Sequence, residues 1–154
     1  MKKVFSILIY VVICLLVGWV SSLLNYPSIG TWYTMLEKSS LTPPDYVFPI
    51  VWSVLYVLVG VSAGLLRGVH DISKRPLMLL FALQMIFNVS WNFFFFTMQS
   101  TILGLANILV LIVLAVAYFI GTLWVRRLSA LFFLPYLLWL IFAAYLNFYI
   151  VIYN

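Results

Sequence analysis

Charge is scarce in this sequence. Eight Lys and Arg, three Asp and Glu and one His are spread over 154 residues, so 7% of the chain is charged while 67% is hydrophobic. A water-soluble domain carries about 25% charged and about 45–50% apolar residues, and this chain has too little polar surface to be one. Cysteine is as rare. Cys14 stands alone in an apolar run, which excludes an internal disulfide and a zinc site built on thiolates. The single His70 excludes a histidine-rich metal centre, so no metal site is expected, and Glu37, Asp45 and Asp71 are too scattered for a catalytic pair of carboxylates. The formal charge of +5 does not point to nucleic acid either, because Lys2, Lys3, Lys38, Arg67, Lys74, Arg75, Arg126 and Arg127 are dispersed between apolar runs.

Those runs are what the chain has in place of charge. A helix crosses the hydrocarbon core, about 30 Å thick, with about 20 apolar residues. Five segments meet that length: Val4 to Leu24, Val47 to Leu66, Leu77 to Met98, Ile102 to Val125 and Leu128 to Ile152. They lack the alternation of a barrel, so the expected fold is an all-α integral membrane bundle of five transmembrane helices, forming one domain over residues 1–154. The first run is too long for a signal peptide and has no small-residue cleavage site, so it reads as an anchor. With five spans, seven of the eight basic residues fall on one side and only Lys38 on the other. The positive-inside rule then places the N-terminus in the cytoplasm and the C-terminus outside, in a multi-pass protein of the cell membrane.

One connection is long. Asn25 to Tyr46 holds 22 residues and is rich in aromatics and prolines, so it reads as an ordered lid on the outer face rather than as disorder. Trp32, Met35 and Leu36 are spaced for a short helix with its apolar side on the bundle, ended before Pro43 and Pro44.

The spans contain no Asp, Glu, Lys, Arg or His, which argues against proton-coupled or ion-coupled transport. They carry amides and large aromatics instead. Gln84, Asn88, Trp91 and Phe95 share one stripe of the third span, and Pro135, Trp139, Ala143 and Asn147 recur every four residues on the fifth, with Phe142 beside them. Trp52 and Tyr56 lie one turn apart on the second. Trp19 and Trp124, near span ends, fit an interfacial belt. Trp91 and Trp139 lie roughly 21 and 17 Å from the inner ends of their spans at about 1.5 Å per residue, too deep for the inner belt. Asn88 and Asn147 can serve a ligand or bond between helices, and the pairs Gly60/Gly64 and Gly18/Ser22 favour close helix packing and leave a homodimer open.

The run Trp32-Tyr33-x-x-Leu36-x-Lys38, continued by Pro43-Pro44-x-Tyr46-Val47-Phe48 and Val51-Trp52-x-x-Leu55-Tyr56, resembles the tryptophan-rich sensory protein or translocator protein family, also called peripheral-type benzodiazepine receptors. So do Gln84-x-x-x-Asn88-x-x-Trp91 with Phe95-Phe96, and Pro135-Tyr136-Leu137-x-Trp139-x-x-Phe142-Ala143-x-x-Leu146-Asn147. The three fragments occur in the family's order and extend from Trp32 to Asn147. The resemblance implies an outer-side pocket closed by the first loop, which binds protoporphyrin IX and isoquinoline carboxamides, with light- and oxygen-dependent porphyrin degradation in some members. Matched by position, Trp52 and Trp139 become the catalytic candidates. Trp32, Tyr33, Tyr56, Asn88, Trp91, Phe142, Ala143 and Asn147 join those two as ligand contacts. No tightly bound cofactor is implied. The partners are a porphyrin or another flat hydrophobic molecule, as ligand or substrate, together with membrane lipid, and no nucleic acid. A non-catalytic carrier or stress sensor is the rival reading. Lys38 is offered as a cation for ligand carboxylates. The chain departs from the family at Leu41 and Tyr46, where tryptophans are frequent, at Ser39, where proline is frequent, and at Asn107, where an acid is common. Tyr149 and Tyr153 lack the following basic residue of the proposed sterol pattern.

Overall fold

A computed structural model describes residues 2–69 and 74–154, with side chains from Val4 onward. His70 and Asp71, expected on the cytoplasmic side, lie outside the described residues. The described chain is helical, with α1 (Lys2–Ile29), a one-turn α2 (Trp32–Met35), α3 (Val47–Arg67), α4 (Lys74–Asn92) extended by a π-helical turn (Phe93–Thr97), α5 (Thr101–Val125) and α6 (Arg127–Tyr153). Five of these are long and apolar enough to cross a membrane, in agreement with the spans read from the sequence. Around the bundle the helices follow one another in the order α1, α3, α6, α5, α4 and back to α1, and α3 and α4 also touch across it. The 30–46 loop lies at the same end as the C-terminus, opposite the C-terminal ends of α3 and α5.

The first helix runs five residues beyond its expected end at Leu24, through Pro27. A proline removes one N–H from the helical ladder and commonly ends a helix. Here the last turn is held by neighbours: Ser28 Oγ donates to the Phe96 carbonyl (2.7 Å) and Thr31 Oγ1 to that of Pro27 (3.1 Å). Thr97 Oγ1 donates to the Leu24 carbonyl (3.4 Å), so the end of α1 and the π turn satisfy each other. The π turn itself is a wide coil in which Met98 N donates to Phe93 O over 2.9 Å, and Gln99 follows with φ of 51°. It brings Phe95 and Phe96 together on the inner side, both buried.

The short loop helix forms where the Trp32 spacing places it, but its packing differs from expectation. Trp32 and Leu36 pack against Phe95, Phe96 and Ile150, whereas Met35 is 75% exposed. The helix is a single turn, and Leu36 is already extended with ψ of 142°, so the helical register does not carry Met35 onto the bundle.

In the half of the bundle away from the loop, α1 and α3 approach closely. A Cβ on Gly60 would meet the Val11 Cα at 2.5 Å, and one on Gly64 the Ile7 Cα at 2.5 Å. The Gly60/Gly64 pair thus serves a contact within this chain. Behind it Tyr118, Phe133 and Tyr136 pack in series, tilted and then edge-on, at centroid separations of 4.6 and 5.2 Å. Ser62 bonds both the Tyr118 hydroxyl (3.1 Å) and Ser129 Oγ (2.9 Å), and Ser129 Oγ also donates to the Ser62 carbonyl, joining α3, α5 and α6 without leaving a hydroxyl unpaired. Because Gly60 faces backbone, Gly60→Val must force α1 and α3 apart, and overpacking of this kind costs about 1–3 kcal/mol. Thermal unfolding in detergent should show a clear fall in Tm, while Gly30→Ala, with nothing within 4 Å of the added carbon, should leave Tm unchanged.

Candidate functional site

Toward the loop end the helices part and enclose a cavity of about 500 Å³. That is within the range of about 300–1,000 Å³ in which small-molecule sites fall. It lies between α1, α3, α4 with its π turn, and α6, while α5 contributes no lining residue.

The floor is a hydrogen-bonded relay. Tyr56 OH donates to Asn88 Oδ1 at 2.5 Å, and Asn88 Nδ2 donates to Tyr136 OH at 3.1 Å, tying α3, α4 and α6 at one depth. Gly18 of α1 lies against the Tyr56 ring, leaving no room there for a side chain. Asn88 is 2% exposed and lies beneath the lining, so it positions Tyr56 rather than forming the wall. Gln84, one turn further along the same stripe, is fully buried; both its amide atoms lack partners, and it too lies outside the cavity wall.

Indoles form the sides. Trp52 leans over Tyr56 (5.6 Å between centroids) and meets Tyr136 edge-on (6.2 Å). Trp139 packs edge-on to Phe48 (6.2 Å) and against Phe142 (5.4 Å), and its indole N–H is enclosed without an acceptor. Trp91 is held twice: it stacks on Phe95 at 5.0 Å and 15°, and its N–H donates to Asn147 Oδ1 at 3.1 Å. Asn147 Nδ2 in turn donates to the Thr101 carbonyl at 2.9 Å.

The loop packs against the π turn and α6. Tyr33 packs on Phe96 (5.6 Å) and Trp32 on Phe95 (5.4 Å). Further out Asn154 bonds both polar backbone atoms of Glu37, accepting from its N–H at 2.9 Å and donating to its carbonyl at 3.1 Å. Ser39, at a frequent proline position of the family, shares a 3.1 Å bond with Tyr145 OH, fixing the loop to α6 a second time. The side between α1 and α3 is less closed. Trp19, 62% exposed, borders the cavity there together with exposed Ser22, Pro49 and Ser53. Trp19, expected in an interfacial belt, is therefore a rim residue of the cavity, whereas Trp124, 87% exposed, lies outside the lining.

Of the ten ligand contacts matched from the sequence, Tyr33, Trp52, Tyr56, Trp91, Trp139, Ala143 and Asn147 line the cavity; Trp32, Asn88 and Phe142 stand behind it. Sequence reasoning missed the α1 wall, including Gly18, Ser21 and Asn25, and it missed Phe48 on α3. The serine and asparagine positions on α1 were a usable signal, since uncharged polar residues in an apolar span face partners or a cavity. Asn107, which replaces a common acid, donates to the Phe87 carbonyl at 2.8 Å and serves helix packing. Leu41 and Tyr46 are exposed and outside the lining. Among the described residues no three His, Cys, Asp or Glu side chains are grouped to hold a metal.

Two outcomes follow from this geometry. Asn88→Leu should strip Tyr56 and Tyr136 of their partner and cost about 1–3 kcal/mol, the penalty for a buried polar group left unpaired; chemical or thermal unfolding checks it. The Tyr33 phenol is pushed up to about 12 by burial first and by the Asp45 charge second. Its folded-state pKa exceeds the unfolded value near 10, so its stabilising contribution is full below about pH 10 and is lost as pH rises toward 12. A difference titration at 295 nm, parent minus Tyr33→Phe, should isolate one tyrosine that ionises late, and in Asp45→Asn that tyrosine should ionise at lower pH.

Comparison with known proteins agrees with the architecture and the motifs. The model of the TspO/MBR family matches residues 10–153. The tryptophan-rich protein TspO of Chlorobaculum tepidum is 32% identical over 96% of this chain and 94% of its own. The protein CrtK of Rhodobacter capsulatus is 34% identical over 91% and 87%, and the human translocator protein 32% identical over 76% and 71%. A bundle of five membrane-length helices, matched nearly end to end by that family's model, belongs to the TspO/MBR family.

Proposed function

We propose that the cavity binds a flat, largely apolar tetrapyrrole such as protoporphyrin IX, and isoquinoline carboxamides by the same walls. The observation that carries this reading is the convergence of Trp52, Trp91 and Trp139, from three helices, on one cavity of about 500 Å³. Aromatic faces favour a planar ring by about 0.5–1.5 kcal/mol per good pair beyond area burial. The loop over the end of the bundle serves as the lid. Seven cations on the far side support a cell-membrane topology with the N-terminus in the cytoplasm and the cavity in the outer half.

Bound porphyrin in light and oxygen is degraded in this reading, with Trp52 and Trp139 as the indoles beside the excited ring. Assigning the role to these two and not to Trp91 is supported by the Trp91 N–H and face both being engaged. No general acid or base is required of the wall. A non-catalytic carrier or stress sensor is the second reading. It draws support from the less closed side between α1 and α3 and from relatives called sensory and translocator proteins.

Purified protein with protoporphyrin IX should bleach the pigment under illumination in air. Trp52→Phe and Trp139→Phe should each slow bleaching at least tenfold while keeping Tm and helicity. Undiminished bleaching in both variants refutes their assignment. Dark binding without a light-dependent product, together with pigment transfer between proteoliposomes, would establish the carrier instead. A ligand at one hundred times its Kd should add about 2.7 kcal/mol to stability, so a Tm that no porphyrin or isoquinoline raises would contradict both.

A further inference from the structure

The cavity wall is uncharged except at one point. Asp45, in the loop just before α3, borders it, and among the described residues no lysine or arginine does. Lys38 places its ammonium 4.3 Å from the centroid of the Tyr33 ring and stays outside the lining. Asp45 is the charge on the lining itself, and it adds to burial in holding the proton on the Tyr33 phenol.

The neutral donors nearby are partly engaged. Ser21, Ser22 and Ser53 donate to carbonyls of their own helices at 2.7–2.9 Å, and Tyr56 and Trp91 donate to Asn88 and Asn147. A carboxylate drawn into this wall would give up water, meet no lysine or arginine of the lining and face a like charge, and each of these raises its free energy. An ester or an amide N–H loses far less on leaving water and carries no charge to oppose Asp45, while an ammonium gives up water as a carboxylate does but faces an opposite charge. An ammonium gains from Asp45.

We propose that Asp45 is a specificity-determining residue that makes the cavity select against carboxylates, so that the group entering past the mouth is neutral or cationic and any carboxylate of a ligand stays turned out to water. The choice of porphyrin probes rests on the tetrapyrrole reading; the charge rule does not.

The test compares ligands of one ring and different charge in a neutral detergent, by quenching of tryptophan fluorescence. Protoporphyrin IX supplies the dianion, its dimethyl ester the neutral form, and its bis(aminoethyl)amide the dication. The full-length protein should bind the ester and the dication at least fivefold more tightly than the diacid. Asp45→Asn should remove most of that preference, and Asp45→Lys should reverse it. Added salt should shrink the preference for the dication. Asp45 is exposed, so both variants should keep the parent Tm. A diacid that binds as well as the ester, or a preference that survives Asp45→Lys, overturns the proposal. Pyrenemethylammonium against pyrenecarboxylate separates the two ideas. If no porphyrin binds but the pyrene pair follows the same order, the tetrapyrrole reading fails and the charge rule stands. If neither set binds, both fail.

Discussion

A single amide sets the depth at which this bundle changes character. Asn88 accepts from Tyr56 and donates to Tyr136, so α3, α4 and α6 are tied at one level by two bonds of 2.5 and 3.1 Å. In hydrocarbon there is no water to replace a lost partner, and the three polar groups therefore fix one another's positions. Away from the loop, below that level, the bundle is packed solid. Above it the same helices diverge around a cavity, and the Tyr56 ring, held from beneath, becomes its floor. The relay thus acts on the site through geometry and without touching the space a ligand would fill.

The α1–α3 contact sets the same boundary from the other side. Gly64, Gly60 and Gly18 successively meet Ile7, Val11 and Tyr56 along the interface, two of them at backbone distance. Small residues let helices approach closely where van der Waals contact is the main attraction between them, as it is in lipid. Beyond Gly18 the α1 side chains at the interface include Ser21, Ser22 and Asn25, which line open space. Closing one half of an interface with glycines while leaving the other half apart is what gives a five-helix chain room for a cavity. The loop is fastened to this end of the bundle by aromatic packing on Phe95 and Phe96 and by the paired bonds of Asn154 to Glu37.

Much of this was legible in the residues, because membrane spans announce themselves by length and by the absence of charge. The amide and indole stripes of α4 and α6 were legible too, since helical spacing alone aligns Asn88 with Trp91 and Trp139 with Asn147. What periodicity could not supply was depth along the interface normal. Asn88 and Trp91 share a stripe, yet one lies under the floor and the other in the wall. The continuation of α1 through Pro27 and the π turn at Phe93–Thr97 were hidden for a related reason. Both are stabilised by each other's carbonyls and hydroxyls across sequence separations of about 70 residues, which no local pattern contains. Met35 faces outward because the helix stops after one turn and Leu36 is already extended, a stop that the apolar spacing does not reveal.

The tryptophans of the wall are not equivalent, and their differences follow from what each one's polar edge has found. Trp91 has an acceptor in Asn147 and a stacking partner in Phe95, so moving it would break a chain of bonds that runs on to Thr101. Its position is part of the scaffold. Trp139 has an enclosed N–H with no acceptor and only tilted or edge-on neighbours, and it forgoes a bond that a buried indole usually makes. Trp52 lies between, packed over Tyr56 but with no partner for its ring nitrogen in any of the cavity's hydrogen-bond chains. An indole that is well bonded and stacked is costly to shift, while one without a bond can turn or slide a little as a ligand settles. The rigid side of the cavity is therefore the one built from α4 and its π turn, and the adaptable side is the one where Trp52 and Trp139 of α3 and α6 face each other's neighbours across the space.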